Sequence, residues 1–415
     1  MPLYLPGGTT LIQYFSRFFS NNSIIFICLI LCASVESDEN ATEVTLQTLV
    51  RNTRNTHLIY ILLWMDQHPT WINWTTEQRS FINDKCSKTN CFLTYNRDLF
   101  RDIRKFQAVI FHGSFLNVPV VVHKRKPNGS PTSYKVTKPE LRSPHQKYIF
   151  FNMESSANYP VVNDIFDDFF NWTMTYKFDS DIFHPYFVIK NSFGEIVGPK
   201  RNITWVADME DIDEHLAQKL RTKTKAVAWF VSNCAAGSKR DEFVKRLTKS
   251  LNKYNLTVDV YGQCGPLQCP LSEEHRCYAM LENDYYFYLA LENSFSDDYV
   301  TEKILTAVQN NVVPIVYGCA DYTRFLPPES YIDGRDHTSS DLADLMYQLI
   351  RTPKKYHQYF KWKNYYTYHN NLDNICALCE ALNNRKRLRT RVYKQFRSWW
   401  NFGSDATCRR PDHHL

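Results

Sequence analysis

Between Ala226 and Gly318 short apolar runs alternate with segments of helical period, and this alternation narrows the possible folds more than anything else in the chain. Ala226–Ser232 reads as a strand, Lys239–Lys253 as an amphipathic helix and Leu256–Gly262 as a further strand, together a βαβ unit. Tyr286–Leu291, the helical stretch Val300–Gln309 and the strand Val312–Gly318 repeat the pattern. Strands joined through helices lie parallel in a sheet covered on both faces. An earlier series, His57–Trp64, Phe106–Gly113 and Tyr148–Met153, is spaced by polar or helical stretches and predicts a second parallel sheet with helical crossovers. At 415 residues, two doubly wound α/β domains are the economical reading, with ligands beyond the carboxyl ends of the strands. A hydrophobic fraction of 44% and only 12 glycines exclude a disordered or collagen-like chain.

The run Ile24–Val35 follows Arg17 and precedes Glu36, Asp38 and Glu39. It is shorter than the roughly 20 residues of a spanning helix, so a cleaved signal peptide and a short uncleaved anchor both fit. Either places the bulk of the chain on the lumenal side, because positive charge precedes the run and acid follows it. Lumenal placement makes Asn40, Asn73, Asn128, Asn171, Asn202 and Asn255 candidate glycosylation sites, each in an Asn-x-Ser/Thr triplet. Of 12 cysteines, Cys28 and Cys32 fall in the leader, and several of the other ten are expected to pair in an oxidising lumen. Cys376-x-x-Cys379 lacks a second pair at zinc-ligand spacing, so no metal site is expected.

Two strand-to-helix turns carry the chemistry. In Ala290-Leu-Glu-Asn-Ser-Phe-Ser-Asp-Asp-Tyr-Val-Thr-Glu-Lys303 a strand end passes through a polar loop into a helix, aiming free N–H groups and the positive end of the helix dipole beyond the sheet. Lys303 opposes that dipole, which a ligand phosphate would explain; alternatively Asp297 or Asp298 caps the helix and Lys303 faces solvent. Val231-Ser-Asn-Cys-Ala-Ala-Gly-Ser-Lys-Arg240 is a second such turn, with neither a dinucleotide nor a P-loop pattern. The formal net charge of +6 is spread along the chain and calls for no nucleic-acid partner.

Ala226–Asn233, Tyr286–Ser294, Asp298-Tyr-Val-Thr-Glu-Lys303, Val313-Pro-Ile-Val-Tyr-Gly318 and Phe325-Leu-Pro-Pro-Glu-Ser-Tyr-Ile332 resemble, in order and spacing, the donor-binding domain of the α1,3-fucosyltransferases, glycosyltransferase family ten. Phe150–Ser156 and Asn171–Phe183 resemble that family's acceptor-domain blocks. The resemblance implies a GT-B fold of two Rossmann-like domains facing across a cleft, behind an N-terminal membrane anchor and stem. The spans expected are 1–22 cytoplasmic tail, 23–35 signal-anchor, 36–56 stem, 57–210 acceptor-binding domain, 222–370 GDP-fucose-binding domain and 371–415 a Cys-containing helical extension. It further implies a type II Golgi membrane enzyme with lumenal catalytic domains, moving L-fucose from GDP-fucose to the 3-hydroxyl of N-acetylglucosamine with inversion.

Carried over by motif, Glu154 is the general base, and Arg240 and Lys303 are the cations on the diphosphate. Asn233, Tyr288, Asn293, Tyr299 and Glu302 match donor-contacting positions, with Glu302 accepting from ribose hydroxyls. An Arg, a Lys and a helix N-terminus can stabilise a departing diphosphate without a metal, so no cofactor is expected to be essential and Mn²⁺ at most stimulates indirectly. Asp179-Ser-Asp181 has the form of a metal-binding DxD triplet, but the resemblance puts it in the acceptor domain with a structural or hydrogen-bonding role. The cysteine pattern and Arg397-Ser-Trp-Trp400 resemble the subgroup acting on the innermost N-acetylglucosamine of glycoprotein N-glycans. The alternatives are an enzyme of LacNAc or LacdiNAc antennae, towards which Phe325–Ile332 points, and a lectin-like protein of the same fold.

Overall fold

The computed structural model describes residues 57–65, 74–116, 119–120, 133–134, 138–388 and 391–402. The expected tail, anchor and stem, the sequons Asn40, Asn73 and Asn128, and Cys28, Cys32 and Cys408 lie outside them. Among the described residues no helix is long and apolar enough to cross a membrane.

The first sheet contains β1 (Ile59–Leu63), β2 (Cys91–Thr94), β3 (Ala108–His112), β6 (Lys147–Asn152), β7 (Trp172–Thr175) and β8 (Ile182–Phe183). All pair in parallel, in the order β2-β1-β3-β6-β7-β8. Every residue of β3, β6 and β7 is buried, as the central strands of a parallel sheet should be. Between β3 and β6, β4 (Pro119–Val120) and β5 (Ser133–Tyr134) form a small antiparallel pair.

The helical crossovers expected here are largely missing among the described residues. The described part of the link from β1 to β2 holds α1 (Arg79–Asn83), and 3₁₀ turns occupy the links from β2 to β3 and from β6 to β7. Cover comes from the far end of the chain instead. Phe150 of β6 packs against Phe396 and Trp400 with ring centroids 4.8 Å apart in each case.

The second sheet contains β11 (Lys225–Phe230), β12 (Val258–Tyr261), β13 (Tyr285–Leu291), β14 (Val313–Tyr317) and β15 (Ile332–Asp333). They are parallel in the order β12-β11-β13-β14-β15, with α2 (Glu214–Arg221) preceding β11. The link from β11 to β12 runs through α3 (Arg240–Leu251), which buries Phe243, Val244, Leu247 and Leu251 along one stripe. Then α4 (Glu274–Asp284) leads into β13, and α5 (Glu302–Gln309) joins β13 to β14 through buried Ile304, Leu305, Ala307 and Val308. After β15 come α6 (Ser339–Arg351) and α7 (Pro353–Gln358).

A third, antiparallel sheet joins the two series. β16 (Tyr366–Asn370) pairs with β9 (Phe187–Asn191), which pairs with β10 (Ile196–Gly198). The chain then returns to the first sheet with α8 (Cys376–Asn383) and α9 (Phe396–Asn401). Disulfides Cys86–Cys376 and Cys91–Cys379 bind successive turns of α8 beside β2, while Cys234–Cys264 and Cys269–Cys277 close shorter loops. The described residues from Ile59 to Phe402 form one compact body.

Two candidate sites need correction or comment. Asn171 cannot carry a glycan in this fold: it is 2% exposed, and its Oδ1 accepts from the Tyr148 N–H at 2.8 Å and from Arg142, while its Nδ2 donates to the Arg391 carbonyl at 2.8 Å. Asn202 and Asn255 are exposed. Glycopeptide mass mapping should find Asn171 bare. Asn171→Ala should lower the unfolding free energy by about 2–4 kcal/mol, because it strands several buried partners at once. Asp84, Cys86 and Cys376 lie close enough to hold an ion, but the two sulfurs are bonded to each other and offer no thiolate.

Candidate active site

In the second sheet the strand order reverses between β11 and β13, and the two loops leaving their carboxyl ends meet at that switch point. The loop after β11 climbs through Asn233 to Lys239, which takes a left-handed conformation (φ 53°) and turns the chain into α3. Arg240, the first residue of α3, is 4% exposed. Its Nη1 donates to the Leu291 carbonyl at 2.7 Å and its Nη2 to the Asn233 carbonyl at 3.1 Å, so the guanidinium ties one loop to the strand end beneath the other. Ser238 adds its N–H to the Asn293 carbonyl (3.1 Å) and its hydroxyl to the Glu292 carbonyl (2.7 Å).

Neither Asp297 nor Asp298 caps α5. Thr301 stands at the N-cap, and the Glu292 carboxylate accepts from its N–H at 2.9 Å and its hydroxyl at 3.1 and 3.0 Å. Lys303 is not solvated either. Its ammonium donates to Thr301 Oγ1 (2.7 Å) and lies 3.2 Å from Glu292 and 3.1 Å from Glu302. Burial alone would depress its pKa, but those two carboxylates outweigh burial and hold it above the ordinary lysine range. Burial pushes the Glu292 carboxyl upward, against the pull of Lys303. Glu292 escaped the sequence reading; the available signal was an acid placed directly after the apolar strand Tyr285–Leu291, eleven residues before an unexplained lysine.

Glu154 stands two residues beyond β6, where the Asn152 side chain accepts its N–H at 3.1 Å. The Tyr186 hydroxyl donates to the Met153 carbonyl. Both side-chain hydrogen bonds to Glu154 from other side chains fall on Oε2, one from the Tyr299 hydroxyl at 3.2 Å and one from Asn158 at 3.1 Å. Burial, then the neighbouring Tyr186 and the carboxylates around it, raise the Tyr299 pKa well above the usual phenol value, so it remains a donor at neutral pH. The Glu154 loop is stitched to the loop after β13 by paired hydroxyls, Ser155 with Ser294 and Ser156 with Ser296, the second pair at 3.2 Å. These serines were also missed as contacts.

One constellation therefore gathers Glu154, Asn233, Arg240, Asn293, Tyr299, Glu302 and Lys303 at the facing strand ends of the two sheets. Tyr288 is placed differently: it lies within β13, 3% exposed, with its ring 5.5 Å from that of Phe230. It supports the loops from below and is no surface contact in this arrangement. Asp179 and Asp181 diverge to separate partners. Asp179 accepts from Trp399 Nε1 at 2.8 Å, and Asp181 from the Tyr393 hydroxyl (2.8 Å) and the Thr173 N–H (3.0 Å). A cavity of about 840 Å³ is lined by Asp297 and Asp298, in the loop between Asn293 and Tyr299.

Comparison with known proteins identifies the family. The profile described as "Glycosyltransferase family 10 (fucosyltransferase) C-term" matches residues 220–399, and that described as "Fucosyltransferase, N-terminal" matches residues 54–187. "Alpha-(1,3)-fucosyltransferase C" of Drosophila melanogaster is 34% identical over 351 residues, covering 82% of this chain and 77% of that one. "Glycoprotein 3-alpha-L-fucosyltransferase A" of the same fly is 31% identical over 334 residues, covering 79% of this chain and 58% of that one. The chain belongs to glycosyltransferase family 10, the fucosyltransferases. A crystal structure of an alpha1,3-fucosyltransferase with GDP-fucose aligns at a TM-score of 0.47 and 14% identity, over 82% of this chain and 93% of that one.

Proposed function

We propose that this protein transfers L-fucose from GDP-fucose to the 3-hydroxyl of N-acetylglucosamine in glycoprotein N-glycans, at the core position and with inversion. The observation that carries the reading is Glu154, held at the end of β6 and bonded through Tyr299 to the loop that leads to Lys303. The relatives' names supply the α1,3 linkage, and that of the second supplies the glycoprotein acceptor.

In this reading the two parallel sheets are the halves of a GT-B fold. Tyr299 and Asn158 occupy Oε2 of Glu154, leaving Oε1 to take the proton of the acceptor 3-hydroxyl. The freed oxygen attacks the anomeric carbon while the bond to the diphosphate breaks. Negative charge growing on the leaving phosphate meets Lys303 and the N-terminus of α5, with the buried Arg240 adding its positive charge from beneath the two loops it ties together. An arriving diphosphate competes with the carboxylates for Lys303. The Glu302 side chain is 54% exposed and that of Glu292 1%, so Glu302 is the one free to turn towards the ribose hydroxyls. These cations and dipoles suffice for the leaving group, so an essential metal is not invoked. A type II anchor in the Golgi membrane with a lumenal catalytic body fits the leader and the oxidised cysteines.

The test is incubation of the full chain with GDP-fucose and a panel of defined N-glycans, read by mass, with and without chelator. Fucose on the reducing-end residue is expected. Antennal fucose would move the acceptor to LacNAc or LacdiNAc, no transfer to any glycan would favour a lectin, and loss of turnover restored only by Mn²⁺ would overturn the metal-independent mechanism.

A further inference from the structure

We propose that the cavity beside the constellation is a subsite for a neutral sugar of the acceptor glycan other than the one that receives fucose. This rests on the functional reading above and extends it. The cavity, about 840 Å³, is of ligand size and is walled by several parts of the chain, among them Lys177 and Asp179 after β7, Asp297 and Asp298 before α5, Arg324 after β14, and Trp399 in the C-terminal segment. Asp298 immediately precedes Tyr299, whose hydroxyl reaches Glu154, so the loop that lines the cavity is also the loop that contacts the proposed base.

The charges around it argue for a neutral guest. Five lysine and arginine side chains face four aspartates, a balance that favours neither a phosphate nor a metal ion. Such a lining combines donors and acceptors, which suits a polyhydroxylated ring. Trp399 supplies a stacking face. Its Nε1–H is held by Asp179 at 2.8 Å, its ring lies 5.3 Å from that of Tyr393, and the Lys177 ammonium lies 5.3 Å from its centroid. Lys177 is itself fixed, donating at 3.1 Å to the carbonyls of Trp399, Trp400 and Phe402. A half-buried indole on the cavity wall, locked in this way, suits stacking on the C–H face of a pyranose without losing rotamer freedom on binding.

The test compares two acceptors, an asparagine peptide bearing a single N-acetylglucosamine and the same peptide bearing the trimannosyl-chitobiose core, in the full chain and in two variants. Trp399→Ala removes the stacking face; Ser398→Trp, at an exposed position on the wall, fills the cavity without removing a packed side chain. Both should raise KM for the larger acceptor about three- to tenfold, leaving KM for the single-sugar peptide and for GDP-fucose within twofold. Calorimetric binding of the larger glycopeptide should weaken by the same factor. The proposal falls if Ser398→Trp leaves both KM and binding of the larger acceptor unchanged, or if both acceptors lose equally. An unsubstituted chain that binds the larger peptide more tightly but transfers no fucose overturns the functional reading and leaves the subsite standing.

Discussion

Glu154→Gln is expected to reduce fucosyl transfer by about two to four orders of magnitude while leaving GDP-fucose affinity within twofold. The substitution keeps the shape and retains an oxygen for the Tyr299 hydroxyl and the Asn158 amide, which now donate to Glu154 at 3.2 and 3.1 Å. What it removes is the ability to hold a proton. The donor cluster around Arg240 and Lys303 is built from other loops, so nucleotide binding should persist. Single-turnover transfer measured beside calorimetric GDP-fucose binding separates the two quantities. Near-normal turnover would remove Glu154 from the role of base, and lost donor affinity would show that it holds the donor instead.

The second large effect is on stability and divides two carboxylates that share one lysine. Glu292→Ala should lower the unfolding free energy by about 3–5 kcal/mol, because it leaves the Lys303 ammonium poorly compensated in the interior and the Thr301 N–H and hydroxyl without their acceptor. Glu302→Ala should cost under about 1 kcal/mol, since that carboxylate is half exposed and screened by water. Its effect should appear in the KM for GDP-fucose. Denaturant unfolding of both variants, with donor kinetics for Glu302→Ala, checks the pair. Equal loss of stability would mean that Lys303 does not distinguish its partners.

The second sheet was legible because each of its signals is local. The stripe Phe243, Val244, Leu247 and Leu251 declares α3, and the end of β13 flows directly into the loop that carries Asn293 and Tyr299 and into the start of α5 with Glu302 and Lys303. In the first sheet the apolar runs of β1, β3 and β6 were readable, unlike the short β2, β7 and β8. Its covering layer was not, because Phe396 and Trp400 pack on Phe150 from about 250 residues away, a separation that periodicity cannot span. The same limit hid Glu292. A carboxylate normally belongs on the surface, and only the fold brings Thr301 and Lys303 round to make its burial tolerable. Asn171 failed in the opposite direction, as a sequence triplet carries no information about whether its amide is already bonded to Tyr148 and Arg391.

The twin bridges on α8 impose an order on assembly. Cys86 and Cys91 wait for partners 290 and 288 residues further along, and the aromatic cover of the first sheet arrives later still. At about 5–20 residues per second of synthesis, the wait lasts roughly 15–60 s. The second sheet, contiguous from Lys225 to Asp333, meets no such delay. The half of the molecule made first is thus the half completed last, and until α8 and α9 emerge it has exposed aromatic strands and two unpaired thiols to shield.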